Sequence, residues 1–393
     1  MQIFTELLSY AFRPFFLLGS LCTILVMVLW IMALAGAGPI ATHVNPMLWH
    51  AHEMLFGFAM AIVAGFVMTA VAMWTGRTRL HGAPLGLLVA AWIIGRVAMA
   101  LGGSLPVGLI ASLDLLFPVL LSFFFAREVI AAGNRRNLII VGIIVAIAML
   151  DVLYHVGAAG SQAGTGLDRT ALLLMIHVVL LLITAIAGRI VPNFTAGWLR
   201  GQGRLQEDNA PRSTPAVEAA TLVLTIITGC AATFAPASPV TGIVALAAAA
   251  MHAFRLSRWN GLATRSEPLL FMLHIAYLWL PIGYVLIAWS AFQSVYPASV
   301  ALHALTMGGI GSIILAMTTR VGLGHTGRIL QAARLTVVAY VVLTLAVIIR
   351  LLGPLIGAQY MRTVELAAGG WIAAFVIFIW VYWPILTQPR ADA

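Results

Sequence analysis

Apolar runs of about twenty residues recur along the whole chain, separated by short polar stretches rich in arginine. A helix of this length crosses the hydrocarbon core of a bilayer. Apolar residues are continuous within each run, whereas the strands of a membrane β-barrel alternate apolar and polar positions. The pattern predicts an all-α polytopic membrane protein with about twelve transmembrane helices. They cover roughly residues 15–36, 50–73, 84–101, 107–126, 137–156, 171–191, 215–236, 238–255, 267–290, 298–319, 334–353 and 364–386.

The composition supports this class, because 62% of the residues are hydrophobic and only 8% are charged. A soluble domain carries about a quarter of charged residues. All 21 basic residues are arginines, and most of them cluster in alternate loops, so the net charge of +9 indicates membrane orientation rather than nucleic-acid binding. The positive-inside rule predicts cytoplasmic termini. We expect one integral membrane domain over 1–393, with the lipid bilayer as partner and a polar cytoplasmic loop at about 192–214.

This orientation places polar side chains at a similar outer depth on six of the predicted spans. They are His50 and His52, Arg96, Asp114, Asp151 and His155, His177, and His303. His252 and His274 lie deeper, towards the cytoplasmic side. An ionisable group inside a span indicates a functional site, although a single buried histidine is more often a packing residue. Several histidines at one depth favour a metal site, since imidazole is a common ligand of haem iron and copper.

The spacing of these residues constrains how they can act together. His50 and His52 are two residues apart, so on a helix they point about 200° away from each other and are expected to serve two different centres. His155 follows Asp151 by four residues, so both share a helix face. A carboxylate there can orient a ligating imidazole, and a plain Asp–His hydrogen bond fits equally well. The glycines of "HALTMGGIGS" after His303 favour either tight helix packing or the close approach of a flat cofactor.

Spans two, six and ten share an internal sequence similarity. Each carries a histidine in its outer half, and "HAHEM" at 50–54 is echoed by "HALTM" at 303–307. The interval predicts three pseudo-repeats of four helices. This layout resembles the catalytic subunit of haem–copper oxidases and nitric-oxide reductases, whose haem and copper ligands come largely from spans two, six, seven and ten. The chain departs from it, because its H-x-H lies on span two and span seven has no histidine. The resemblance therefore does not predict that this chain has the three-histidine copper site of those enzymes.

Longer motifs carry a closer resemblance over nearly the whole chain. They are "FRPFFLLG" at 12–19, "WHAHEMLFGF" at 49–58, "GFVMTAV" at 65–71, "WTGR" at 74–77, "GRIVPNFT" at 188–195, "HIAYLWLPIGY" at 274–284 and "LHALTMGGIGSIILAMTTRVGLGHTGR" at 302–328. In these motifs the chain resembles the NnrS family, membrane proteins with haem and copper that are associated with bacterial denitrification and nitric oxide resistance. The motif residues carried over are Arg13, His50, His52, Glu53, Arg77, Arg189, His274, Tyr277, His303, Arg320 and His325.

The resemblance implies haem b and copper as cofactors, nitric oxide as partner, and the bacterial inner (cytoplasmic) membrane as location. We expect His303 and one of His50 and His52 to be axial haem ligands. The other histidine of span two is expected to serve a second haem or copper with His177 and His155. The remaining expectations are Arg96 at the cofactor site, an inner metal site at His252 and His274, and proton delivery by Glu53, Asp114 and Asp151.

Other functions stay open at this stage. An enzyme of this kind would be an oxidoreductase of the nitric-oxide-reductase type. It would need an external electron donor or quinol, because the chain has no C-x-x-C-H haem attachment site. A proton-coupled permease with twelve helices would also place histidines and carboxylates inside its spans. A protein that binds or senses nitric oxide without turnover is a third alternative. The number of subunits does not follow from the sequence.

Overall fold

A computed structural model describes residues 2–37, 44–160, 165–207, 210–293, 296–357 and 359–392. The described residues form helices and connecting turns, with no β-strand among them. The α-helices are α1 Gln2–Leu7, α2 Phe12–Leu34, α3 Pro46–His52, α4 Met60–Thr75, α5 Gly82–Ala100, α6 Val107–Ala131, α7 Leu138–Ala159, α8 Leu167–Gly201, α9 Pro215–Phe234, α10 Pro239–Ser257, α11 Pro268–Phe292, α12 Ala298–His303, α13 Ser312–Gly324, α14 Arg334–Leu352 and α15 Tyr360–Thr387.

Twelve helical segments of the described chain are long and apolar enough to cross a membrane. Each corresponds to one predicted span, so the all-α multi-pass architecture is confirmed. The agreement has a local cause: in lipid the backbone must satisfy its hydrogen bonds within the segment, so an apolar run of this length forms a helix. The cytoplasmic placement of the termini and the threefold repeat stay predictions.

The sixth span is the largest departure from the predicted boundaries. Helix α8 runs to Gly201 and contains Pro192, so the predicted polar loop of about 192–214 begins ten residues too early. Polar side chains made this segment resemble a loop, but the Thr195 hydroxyl donates to the Val191 carbonyl at 3.0 Å and so stays satisfied within the helix. Residues 208–209 of the predicted loop lie outside the described residues.

Two spans contain a π-helical segment. One covers Glu53–Ala59, between α3 and α4, and the other covers Ala304–Gly311, between α12 and α13. Each begins directly after a histidine, His52 and His303 respectively. Single π-helical turns inside α-helices occur frequently at functional sites, because the extra residue changes the direction of neighbouring side chains. The two spans with the similar sequences at 50–54 and 303–307 therefore also share a π-helical segment at the same position.

Contacts divide the chain into two compact units, so whether it acts as one membrane domain stays a prediction. Unit 1 consists of residues 1–175, 322–328 and 378–393, and unit 2 of residues 176–321 and 329–377. In unit 2 two of the three glycines after His303 face large aromatic rings. A Cβ on Gly308 would lie 2.8 Å from the Trp279 ring, and one on Gly311 would collide with Trp371. Of the two alternatives for these glycines, the structure shows close helix packing.

Candidate metal centre

Four buried side chains of unit 1 converge on one point. His52 ends α3, Asp114 lies on α6, and Asp151 and His155 lie one turn apart on α7. Helix α3 begins at Pro46, and the preceding Asn45 caps it by accepting the Met47 N–H at 2.8 Å. Because the helix begins at Pro46, His52 lies on its buried face. Among the described residues these four form one group whose potential ligand atoms all lie within 4.8 Å of one another.

The nitrogen–oxygen distances in this cluster suit a small metal ion. His52 Nε2 lies 3.1 Å from Asp151 Oδ1 and 3.2 Å from Asp114 Oδ2. His155 Nε2 lies 3.0 Å from Asp114 Oδ2 and 3.8 Å from Asp151 Oδ1. In a tetrahedral site with metal–ligand bonds of about 2.0–2.2 Å, neighbouring ligand atoms are roughly 3.3–3.6 Å apart. The four nitrogen–oxygen distances bracket that range, and all ligand atoms lie within 4.8 Å of one another, so the group is compact enough to surround a small ion.

The hydrogen bonding of His52 points to a cation between the carboxylates. Its Nδ1 contacts Glu53 Oε1 at 3.1 Å, and its Nε2 contacts Asp151. Ionised carboxylates only accept hydrogen bonds, and a neutral imidazole has one N–H to donate. If Nδ1–H donates to Glu53, the neutral ring directs its Nε2 lone pair at two carboxylate oxygens, and either a bound cation or a second proton on the ring removes this conflict. With a metal ion on Nε2, Glu53, His52 and the ion would form a carboxylate–histidine–metal triad, the usual way in which an outer carboxylate orients a ligating imidazole.

The charge balance of the cluster also favours a divalent ion. Glu53, Asp114 and Asp151 are all buried, and Arg96 is the arginine that pairs with the first two of them among the described residues. Its guanidinium donates to Glu53 Oε1 and to Asp114 Oδ1, which leaves Asp114 Oδ2 facing the two histidines. With neutral imidazoles, three carboxylates and one guanidinium leave two negative charges. Uncompensated charge is costly in a low-dielectric interior, and a divalent cation would neutralise it.

Small residues make the space that this cluster needs. A Cβ on Gly95 would lie 2.7 Å from Asp114 Oδ1, and one on Gly57 would lie 3.0 Å from Arg96 Nη1. Sequence reasoning assigned no role to these two glycines. The adjacency of Gly95 to Arg96 was the available signal, because a glycine beside a buried charge often allows another helix to approach closely.

The surroundings of His52 are unsuited to haem. The ring centroids of Tyr154 and Phe56 lie 4.3 and 4.9 Å from that of His52, and both of its nitrogens contact carboxylates. An axial ligand needs one nitrogen directed at open space large enough for a macrocycle. The donor set of two imidazoles and two carboxylates fits a single ion instead.

The structure leaves five predicted site histidines outside this cluster, namely His50, His177, His252, His274 and His303. His50 stacks on Trp30, with ring centroids 4.8 Å apart and an interplanar angle of 14°. This agrees with the prediction that His50 and His52 face different surroundings. His177, His274 and His303 belong to unit 2 and to no ligand group of three or more among the described residues. His177 is buried, and it packs closely against Gly229, because a Cβ added to Gly229 would lie 2.7 Å from the Cβ of His177.

His303 has one nitrogen ready to act as a ligand. Its Nδ1 donates to the Ser299 carbonyl oxygen at 2.6 Å, because a carbonyl can only accept. In the neutral ring the lone pair is therefore on Nε2. This is the tautomer that a metal-ligating histidine with a backbone partner adopts.

The two deeper histidines have separate partners. His252 contacts Thr225 Oγ1 through Nε2 at 3.0 Å and the Tyr277 hydroxyl through Nδ1 at 2.8 Å. His274 Nε2 contacts Thr195 Oγ1 at 3.0 Å. Both nitrogens of His252 are thus hydrogen-bonded within the protein, which favours a packing role for this residue over a shared metal site.

Comparison with known proteins assigns the chain to a family. No curated protein matches it. The family model described as NnrS protein matches residues 6–390, nearly the whole length. Membership suggests a nitric-oxide-related role, and the twelve apolar helices make the chain a multi-pass membrane protein. The protein therefore belongs to the NnrS family.

Proposed function

We propose that this protein binds nitric oxide at a metal ion held by His52, Asp114, Asp151 and His155 and thereby removes it from the membrane. The observation that carries the proposal is the convergence of two imidazoles and two carboxylates with nitrogen–oxygen distances of 3.0–3.8 Å. Nitric oxide is small and apolar, so it reaches a buried site through the bilayer. We place the protein in the bacterial inner (cytoplasmic) membrane, in line with its family.

Copper is the ion that we propose for this site. A mixed imidazole and carboxylate donor set suits divalent copper, which also binds most strongly among the first-row divalent metals. A bound copper ion would supply a Lewis-acidic, redox-active position for nitric oxide. The protein itself would hold the ligands in place: Glu53 orients His52, and Arg96 holds both Glu53 and Asp114. Tyr154 and Phe56 would exclude water from the His52 side.

We propose haem b as a separate cofactor in unit 2, which His303 would help to hold through its Nε2. The support is the hydrogen bond from His303 Nδ1 to the Ser299 carbonyl, which leaves the Nε2 lone pair available. Catalytic reduction of two nitric oxide molecules to nitrous oxide and water consumes two electrons and two protons. An external donor or quinol would supply the electrons, and Asp151 and Glu53 are the proposed proton carriers of the buried cluster.

The test is metal analysis of the purified protein with matched histidine variants. We expect about one copper per chain in the wild type and a large loss in His155→Gln. His252→Gln is the control, because His252 is equally buried but fully hydrogen-bonded outside the cluster. Anaerobic addition of nitric oxide should change the optical and EPR spectra of the wild type and of the control. If both variants retain the same copper and respond equally to nitric oxide, the proposed site is wrong.

A further inference from the structure

Unit 1 has a second feature at the opposite end of the span that carries His52. It is a cavity of about 1000 Å³, formed by α1, the turn before α2, the end of α4, the connector to α5 and the segment after α13. Its lining consists of Phe4, Thr5, Leu8, Ser9, Tyr10, Thr69, Ala72, Met73, Arg77, Thr78, Arg79, His81, Gly82, Ala83 and His325. We call it the basic pocket, because it contains two arginines and two histidines and no carboxylate.

Arg79 is the principal positive charge of the basic pocket. Its Nε donates to the Ser9 carbonyl at 3.0 Å, and its guanidinium lies 3.9 Å from the centroid of the Tyr10 ring. These contacts hold the side chain in place without neutralising it, and Arg79 forms no ion pair within the described part of the chain. Arg77 differs, because its Nε donates to Glu128 at 2.6 Å.

The first turn of α5 adds to this positive potential. The helix begins at Gly82, contains no acidic residue in its first turn and has no side-chain cap from His81. The N-terminal end of a helix carries a partial positive charge from its unpaired N–H groups. Burial, with a smaller effect of Arg390, lowers the pKa of the His325 imidazole, so at neutral pH this ring is a hydrogen-bonding group rather than a cation.

Apolar side chains share the same cavity. Phe4 and Met73 line it and are 73% and 75% exposed, and Leu8 and Ala72 lie beside them. A free inorganic anion gains nothing from such a surface. A molecule with an anionic head and hydrocarbon chains can use both parts of the pocket, and the bilayer contains phospholipids of this kind.

We propose that the basic pocket binds the phosphate of an anionic phospholipid headgroup, with Arg79 as its charge partner and the acyl chains running along Phe4 and Met73. This site is independent of the proposed metal centre. Removing one cationic charge near an anionic lipid surface weakens binding about fivefold. Charge, rather than the detailed shape of the side chain, should therefore decide which lipid is retained.

Native mass spectrometry of the full-length protein, released from nanodiscs of phosphatidylglycerol or phosphatidylcholine, tests the proposal. We expect the wild type to retain phosphatidylglycerol preferentially. Arg79→Gln should retain about fivefold less phosphatidylglycerol than the wild type, and Arg79→Lys should retain nearly as much as the wild type. Arg136→Gln is the matched control, since Arg136 is exposed and outside the pocket. Phe4→Glu, at an exposed position, should also lower retention because it places a carboxylate at the mouth of the basic pocket.

Three results would overturn the proposal. The first is equal retention of the two lipids by the wild type. The second is retention by Arg79→Gln and Phe4→Glu that equals the retention by Arg136→Gln. The third is complete displacement of the lipid by excess inorganic phosphate, which would identify the pocket as a site for the free anion.

Discussion

Asp151→Asn separates the contribution of a carboxylate to metal binding from its contribution to folding. The substitution keeps the shape of the side chain but replaces a charged ligand by a weakly coordinating amide. Asp151 Oδ1 lies 3.1 Å from His52 Nε2 and 3.8 Å from His155 Nε2. Asp114 Oδ2 is the other carboxylate oxygen near both rings, so Asp151→Asn leaves three of the four proposed ligands in place. Losing even an outer-shell partner of a metal typically costs 10–100-fold in affinity, so we expect at least about a 100-fold loss here.

This loss has a defined effect on stability. At a free copper concentration of about 100 times the wild-type Kd, binding stabilises the folded protein by about 2.7 kcal/mol, and a 100-fold weaker site gains only about 0.4 kcal/mol. The metal-dependent stabilisation should therefore fall by about 2.3 kcal/mol. The metal-free protein should change little, because removing a negative charge relieves a cluster of three carboxylates and one guanidinium, while the Asn amide can donate an N–H to the Nε2 lone pair of His52.

Thermal unfolding in detergent at increasing copper concentrations measures both quantities. Asp168→Asn is the control, since Asp168 is also buried in unit 1 but accepts the Arg169 N–H outside the cluster. If Asp151→Asn and Asp168→Asn show the same copper-dependent stabilisation, Asp151 is not a ligand. A large destabilisation of the metal-free Asp151→Asn protein would refute the charge argument, because it would mean that the cluster needs this negative charge without any ion.

Three further predictions concern the partners of this cluster and the second cofactor. Arg96→Gln removes the cation that pairs with Glu53 and Asp114, so it should lower the free energy of unfolding by about 3–5 kcal/mol. Denaturant unfolding measures this loss, and wild-type stability of the variant would contradict the prediction. Gly95→Ala places a Cβ 2.7 Å from Asp114 Oδ1 and should cost about 1–3 kcal/mol together with some metal affinity. Gly108→Ala, whose Cβ meets nothing within 4 Å, should be neutral, and equal effects of the two would refute the packing argument. His303→Ala should abolish the haem absorption spectrum while leaving the copper content unchanged, and an unaltered spectrum would exclude His303 as a haem ligand.

Part of the candidate site could be anticipated from residue positions alone. Counting residues along each predicted span placed His52, Arg96, Asp114, Asp151 and His155 at one depth, and the structure brings all five together. Depth is a local property, because each residue advances a helix by about 1.5 Å. The two-residue spacing of His50 and His52 likewise predicted that they face different surroundings.

The same counting placed His177 and His303 at that depth, yet both lie in unit 2, outside the cluster. Depth along a span says nothing about which helices are neighbours or how each is rotated about its axis. These properties depend on contacts between distant segments, such as the approach of Asp114 to Gly95. The partner of His155 illustrates the point: Asp151 shares its helix face, but Asp114 of another helix lies closer, at 3.0 Å against 3.8 Å.

By itself, the sequence determined that the chain spans a membrane with twelve helices, because the length and continuity of apolar runs are sufficient to select helices in lipid. Only the tertiary structure decided which polar groups meet. It placed three carboxylates around His52, paired Arg96 with two of them, and packed aromatic rings against Gly308 and Gly311. The reason is physical: the apolar surface of a span is similar on all sides, so the few polar and small residues determine its rotation, and they do so only through partners on other helices.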